Sequence, residues 1–372
     1  MVQLVFVHGV ATRTSAAYDQ EERNRDVLFK QVLFQGAPLT IRSPRWGDLA
    51  PPMANNGASF AGAEGVSAFS ALGILADSQP QGSAIAEIAN ADAMRALDAV
   101  YATVVERADL SASDLSPDQI RAFRTVAKAI AGDVKPQLAP SLTDEELILN
   151  IGQFGETGGF GGIGDAIKGA VTALADRARN TVSTGLSNAF RDELNPLVGR
   201  FLGDIFVYLK GEDGDGALRD KIRALVARDV IDAHAEAKAA GEKLVLLGHS
   251  LGGVILYDML SSPESAGLPA DLSVDLFLSV GSQPGFFEEL GLFDFKRPAH
   301  ATSTPMPAAV TAWYNVFDPI DPFGFRATPM FAGAEDYQFD SVTGLLSAHT
   351  TYFKRPQFYA RARKRLQTLQ IL

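Results

Sequence analysis

The chain opens on a short apolar block, VQLVFV, that breaks at His8-Gly9. A run of β-branched and aromatic residues closed by glycine predicts a buried strand and a turn. Helix-forming residues follow over 21–34, and PLTIRSP, just before Trp46-Gly47-Asp48, predicts a second strand. Strand, helix, strand is the opening of an α/β sheet.

Over residues 51–200 the texture shifts to Ala, Gly and Ser with few strand formers. Ser116, Pro117 and Gln119 supply an N-cap, a first-turn proline and a capping-box partner, and Thr143 with Glu146 repeats the spacing. Leu97, Val100, Tyr101, Val104 and Val105 share one face of a helix expected over 84–107. These signals predict a helical insertion, a cap or lid, and not a second α/β domain. Two of its segments, 60–76 and 151–175, are apolar and glycine-laden. They read either as closely packed helices or a glycine loop, or as a mobile lid whose apolar face meets lipid.

The α/β pattern then returns. Ile222, Leu225, Val226, Val230 and Ala233 line one side of a helix over 217–240, which Gly241 ends. KLVLL at 243–247 predicts a buried strand, 251–260 a helix, and 274–280 and 311–317 two further strands. The expected architecture is an α/β core from 1–50 and 201–372, with a mostly parallel central sheet flanked by helices. The closing KRPQFYARARKR predicts a basic helix. Its default reading is a solvated face, with an anionic surface as the sharper alternative.

Of the 372 residues, 47% are apolar and 21% charged, which excludes wholesale disorder. The net charge of −11 argues against a nucleic-acid partner, which rewards Lys and Arg. The absence of cysteine removes disulfides, thiol nucleophiles and Cys-ligated zinc. The block at residues 4–7 is too short for a signal-peptide core. No stretch reaches the roughly 18 apolar residues of a membrane span. A cytoplasmic protein is expected, with signal-independent export as the alternative.

The strongest chemical signal is Gly248-His249-Ser250-Leu251-Gly252-Gly253, between the strand KLVLL and the apolar helix VILYDML. This is a G-x-S-x-G elbow in strand–turn–helix context, a turn that lifts a serine hydroxyl above the sheet. A serine nucleophile needs a base. Imidazole chemistry must come from His8, His234, His249, His300 or His349. In such sheets the chain order is Ser, acid, His. His8 and His234 precede the serine, His249 lies inside the elbow, and His300 precedes the acid expected after TAWYNVF. His349 remains. Asp318 and Asp321, in FDPIDPFGF, both qualify as the acid, and spacing does not choose between them. Oxyanion donors are expected at the N–H groups of Leu251 and Val10, with Gly9 permitting close approach and His8 shaping the loop.

VFVHGV, GHSLGG and VDLFLSVGSQPGFF together resemble the lipase-type α/β hydrolases. The likeness is greatest to the DDHD-domain intracellular phospholipases, through WYNVFDPIDPFGFRATPMF, Asp336-Tyr337 and His349-Thr350-Thr351-Tyr352-Phe353. The resemblance covers 243–353 well, the first fifty residues weakly and the insertion not at all. It implies Asp321 as the acid, a Ser250–His349–Asp321 triad, and a lipid or other ester as substrate. Thr350-Thr351, Phe353 and Phe323 depart from the family pattern. With Asp321 and His349 assigned to the triad, neither metal nor cofactor is expected, and Asp213 and Asp215 in GEDGDG read as a solvated turn. The expected function is a serine hydrolase of carboxylic esters, a lipase or phospholipase whose insertion makes transient membrane-surface contact. The alternatives are a small-ester, thioester or amide hydrolase and a catalytically silent binding protein of the same fold.

Overall fold

The computed structural model describes residues 1–10, 12–50, 84–132, 137–156, 163–182, 203–206, 208–209, 218–297, 301–340 and 345–372. The segment 60–76, part of the glycine-rich run, His300, Asp213 and Asp215 lie outside the described residues.

Eight strands are described: β1 (Val2–Val7), β2 (Leu39–Arg42), β3 (Lys243–His249), β4 (Leu276–Val280), β5 (Thr304–Pro305), β6 (Trp313–Phe317), β7 (Phe331–Ala332) and β8 (Ala334–Gln338). Six form one sheet in the order β2-β1-β3-β4-β6-β8, and every neighbouring pair is parallel. β5 and β7 make a separate two-stranded ladder. The chain therefore leaves β1 toward one edge, then crosses back to β3 on its other side. That reversal opens a crevice beyond the carboxyl ends of β1 and β3, where open α/β sheets bind their ligands.

Alternation along the strands feeds two cores. Val2, Leu4 and Phe6 of β1 join Val245 and Leu247 of β3 on one face. Val5, Val7, Leu244 and Leu246 point to the other. Strands buried on both faces read as continuous apolar runs, which is why VQLVFV and KLVLL were legible. The second face packs against the helix Leu218–Ala240 and the elbow helix Leu251–Ser261.

The first face holds α1 (Ala16–Leu28), with Leu28 against the strands, and the helices of the region expected as a cap. These are α2 (Ala84–Ala91), α3 (Ala93–Leu110), α4 (Pro117–Ala131), α5 (Asp144–Glu156) and α6 (Gly164–Val182). Leu97, Val100, Val104 and Val105 of α3, Phe123 and Val126 of α4 and Phe358 and Tyr359 of the C-terminal helix Pro356–Thr368 share one hydrophobic core with β1, β3 and β4. The described helices of 84–182 thus pack with one another, with α1 and with the C-terminal helix around the core of this face. Ile163, Ile167 and Val171 of the glycine-rich run are buried in it. A fully buried ion pair fastens α3 to the C-terminal segment: Arg355 and Asp98 meet at 2.6 Å, and the Gln357 N–H donates to the same carboxylate at 2.7 Å.

Several boundaries differ from expectation. The single helix over 84–107 is two, because Asp92 adopts extended backbone and caps α3 by accepting from the Met94 and Arg95 N–H groups. The first helix starts earlier, at Ala16, and ends in a π-turn over Phe29–Leu33. The strands expected at 274–280 and 311–317 shorten to Leu276–Val280 and Trp313–Phe317. β8, an edge strand reading AEDYQ, was not expected, since its charged positions hide the alternation. Among the described residues no helix is long and apolar enough to cross a membrane.

Candidate active site

β3 ends at His249, and the elbow helix begins at Leu251. Between them Ser250 has φ 53° and ψ −129°, a conformation that L-residues avoid. Holding it costs about 1–3 kcal/mol, and such strain persists only where neighbours over-determine it. Here the Ser250 N–H donates to the Val280 carbonyl at 3.0 Å, and the Ser282 hydroxyl donates to the Ser250 carbonyl at 2.6 Å. The small residues of the motif are dictated by space. A Cβ on Gly248 would overlap the Gly253 backbone, and one on Gly252 the Val7 carbonyl. On Gly9 it would sit 2.6 Å from Ser250 Cβ.

His349 stands at the end of the short helix Leu345–Thr350. Its Nε2 lies 2.9 Å from Ser250 Oγ, and its Nδ1 lies 3.1 and 3.0 Å from the two Asp321 carboxylate oxygens. A carboxylate can only accept, so Nδ1 carries the hydrogen and Nε2 is free to accept from the serine hydroxyl. All three side chains are buried. Asp321 is held in turn by the Phe323 N–H at 2.9 Å and the Tyr352 hydroxyl at 2.9 Å. Of the two candidate acids, Asp321 is therefore the carboxylate paired with His349 Nδ1. Asp318 accepts the Ile320 N–H at 3.0 Å and shapes the turn, and its own N–H donates to the Tyr352 hydroxyl.

The elbow histidine faces His349. His249 Nε2 lies 2.9 Å from the His349 carbonyl oxygen, so it carries the hydrogen and pins the backbone of His349. Loss of hydration, reinforced by His349, pushes the His249 imidazole down to about 3, and it is neutral at ordinary pH.

The His8-Gly9-Val10 turn abuts Ser250 through Gly9. The His8 ring stacks on Trp46 with centroids 5.0 Å apart, and the Trp46 indole donates to the His8 carbonyl at 2.9 Å. His8 Nδ1, 2.8 Å from the Gly9 carbonyl, is the protonated nitrogen. Burial pushes His8 down to about 4. Leu251, as the first residue of its helix, has an N–H with no intrahelical acceptor. The Val10 N–H makes no hydrogen bond among the described residues.

A cavity of about 580 Å³ runs from Ser250 and His349 between α1 and the end of α3. Its floor holds His8, Val10 and Phe353, and its walls hold Tyr18, Glu21, Arg25, Asp109 and Lys354. Burial opposes the Lys354 charge, yet Glu21 at 3.2 Å and Asp109 at 2.9 Å outweigh that cost and raise its pKa. Three contributors were missed in the sequence: Tyr352, Trp46 and Ser282. Each acts through a contact made by chain more than thirty residues away, and no local pattern marks them. Among the described residues no group of three carboxylate or imidazole side chains could hold a metal ion.

Comparison with protein-family models, with curated proteins and with solved structures found no match. The likeness to lipase-type hydrolases therefore rests on the quoted residues alone.

Proposed function

We propose that the chain is a serine ester hydrolase of the α/β-hydrolase type. The observation that carries this reading is the hydrogen-bonded series Ser250, His349, Asp321 beside a strained elbow. Sheet order supports it too, with loop donor, nucleophile, acid and base following β1, β3, β6 and β8 in turn.

In this mechanism Ser250 Oγ attacks the acyl carbon while its proton passes to His349 Nε2. The Leu251 and Val10 N–H groups receive the charge that develops on the carbonyl oxygen. The Nε2 proton then moves to the departing alkoxide as the carbon–oxygen bond breaks, leaving an acyl-serine. A water molecule surrenders a proton to Nε2 and attacks that acyl carbon; the bond to Oγ then breaks, the carboxylic acid leaves, and Nε2 returns its proton to Ser250 Oγ. Asp321 keeps Nδ1 protonated and stabilises the imidazolium in each half-reaction.

The resemblance proposes a lipid ester. A specific observation favours the small-ester alternative: the cavity walls carry ionised side chains, and a long acyl chain would leave them buried against hydrocarbon.

A fluorophosphonate probe should label the purified protein and fail to label Ser250→Ala. In His349→Ala, labelling and turnover of p-nitrophenyl butyrate should each fall by about 10⁴-fold or more. Absence of labelling in the unaltered protein overturns the hydrolase reading.

A further inference from the structure

Nearly every ionised group around the cavity has a partner of opposite charge. Lys354 is shared by Glu21 and Asp109, Arg25 pairs with Asp26, Arg45 with Glu22, and Arg13 with Asp204. Two neutral polar atoms have none. His8 Nε2 and the Tyr18 hydroxyl are both buried, and neither meets a hydrogen-bond partner among the described residues. His8 itself is 3% exposed. Both residues line the cavity that reaches Ser250, and their rings meet edge-on with centroids 5.7 Å apart. A buried polar atom without a partner is disfavoured, and native proteins leave few of them.

The two atoms ask for a particular chemistry. His8 Nδ1 spends its hydrogen on the Gly9 carbonyl, so Nε2 offers only a lone pair and needs a donor. The Tyr18 hydroxyl has a hydrogen to give and needs an acceptor. An ammonium group would serve only the first, and a carbonyl only the second. A single hydroxyl serves both, donating its hydrogen to Nε2 and accepting from the phenol. The fixed setting of His8 fits a reading site: the Trp46 stack and the Gly9 bond hold its ring in place.

Building on the hydrolase reading, we propose that His8 and Tyr18 form a hydroxyl-reading subsite beside the nucleophile, and that the substrate is an ester bearing a free hydroxyl, of the polyol-ester class. Sites built to bond a hydroxyl reject the analogue that lacks it, because the site's own polar groups are then left unpaired. This ties the preference to two named atoms, and it is read in binding as well as in turnover.

The test uses monobutyrylglycerol and propyl butyrate, which share acyl chain and alcohol carbon count and differ in hydroxyls. Their dissociation constants are measured by calorimetry on Ser250→Ala, which cannot turn either over. The hydroxylated ester should bind about tenfold or more tightly. In Tyr18→Phe and His8→Phe, each added to Ser250→Ala, the ratio of the two constants should fall toward one. A general distortion of the site cancels in that ratio. Equal binding by Ser250→Ala, or a ratio unmoved in both added variants, overturns the subsite. Fluorophosphonate labelling of the unaltered protein separates the two readings. Labelling without hydroxyl preference removes the subsite alone; hydroxyl preference without labelling removes the hydrolase alone.

Discussion

Tyr352 is the residue on which the position of Asp321 turns. Its hydroxyl donates to Asp321 and accepts from the Asp318 N–H, linking the two aspartates that spacing alone could not rank. The ring fills the space over Gly281, where an added Cβ would sit 2.7 Å from Tyr352 Cε2. Burial raises the phenol's pKa, and the neighbouring Asp321 charge raises it further, so the hydroxyl stays protonated and remains a donor. Tyr352→Phe keeps the ring and deletes the donor. The Phe323 N–H still holds one carboxylate oxygen, so orientation should loosen and not fail. We expect kcat on p-nitrophenyl butyrate to fall about tenfold with KM unchanged. An unchanged kcat would show that Phe323 alone positions the acid. Ser250 and His349 were legible because chain order and an elbow motif name them; Tyr352 was not, because aromatic residues close to a base are commonplace in sequence.

At the scale of elements, the elbow works only if β1 and the helix Leu251–Ser261 nearly touch. Gly252 is the contact, with its Cα against the Val7 and His8 carbonyls. Both are backbone groups of a central strand end and cannot swing aside. Gly252→Ala should therefore destabilise the fold by about 3 kcal/mol or more, read as a lower urea midpoint with labelling lost in proportion. Gly36→Ala offers the comparison, since its surroundings are open and only its positive φ is strained. If Gly252→Ala cost no more than Gly36→Ala, the close approach would not be a constraint. Strands buried on both faces and the capped helix at Ser116 were plain in the sequence. β8 and the break at Asp92 were not, since the first is specified by its neighbour β6 and the second by a cap inside an unbroken helical pattern.

For the whole molecule, two neutral imidazoles, His8 buried and His249 half-buried, make stability depend on pH. His8 and His249 are pushed down to about 4 and about 3. In the unfolded chain each takes up a proton near pH 6.5. As pH falls below that value the unfolded state binds protons that the native state refuses, so stability declines from about pH 6.5 down toward the native values. Each contributes up to about 1.4 kcal/mol per pH unit. Urea midpoints taken from pH 7 to 5 should fall, and His249→Gln should flatten that slope relative to its own value at pH 7. A slope unchanged by the substitution would remove His249 from the account. The architecture itself was half legible. The parallel sheet followed from the apolar blocks and the helical character of the insertion from its caps, but that α3 lends Val105, Glu106 and Asp109 to the cavity beside Ser250 did not. Nothing in an amphipathic helix states which surface its apolar side will meet.

The buried Asp98–Arg355 pair joins α3, in the first third of the sequence, to the segment six residues past His349. During synthesis the Asp98 helix emerges well before Arg355 exists, and its carboxylate has to wait in water for some 257 further residues. Desolvating that charge alone is unfavourable, so the helices of 84–182 cannot close fully around their core until the C-terminal stretch arrives. The same stretch delivers His349. A nascent chain therefore carries Ser250 for a long interval without His349, and the Asp98 ion pair can close only after both have been made.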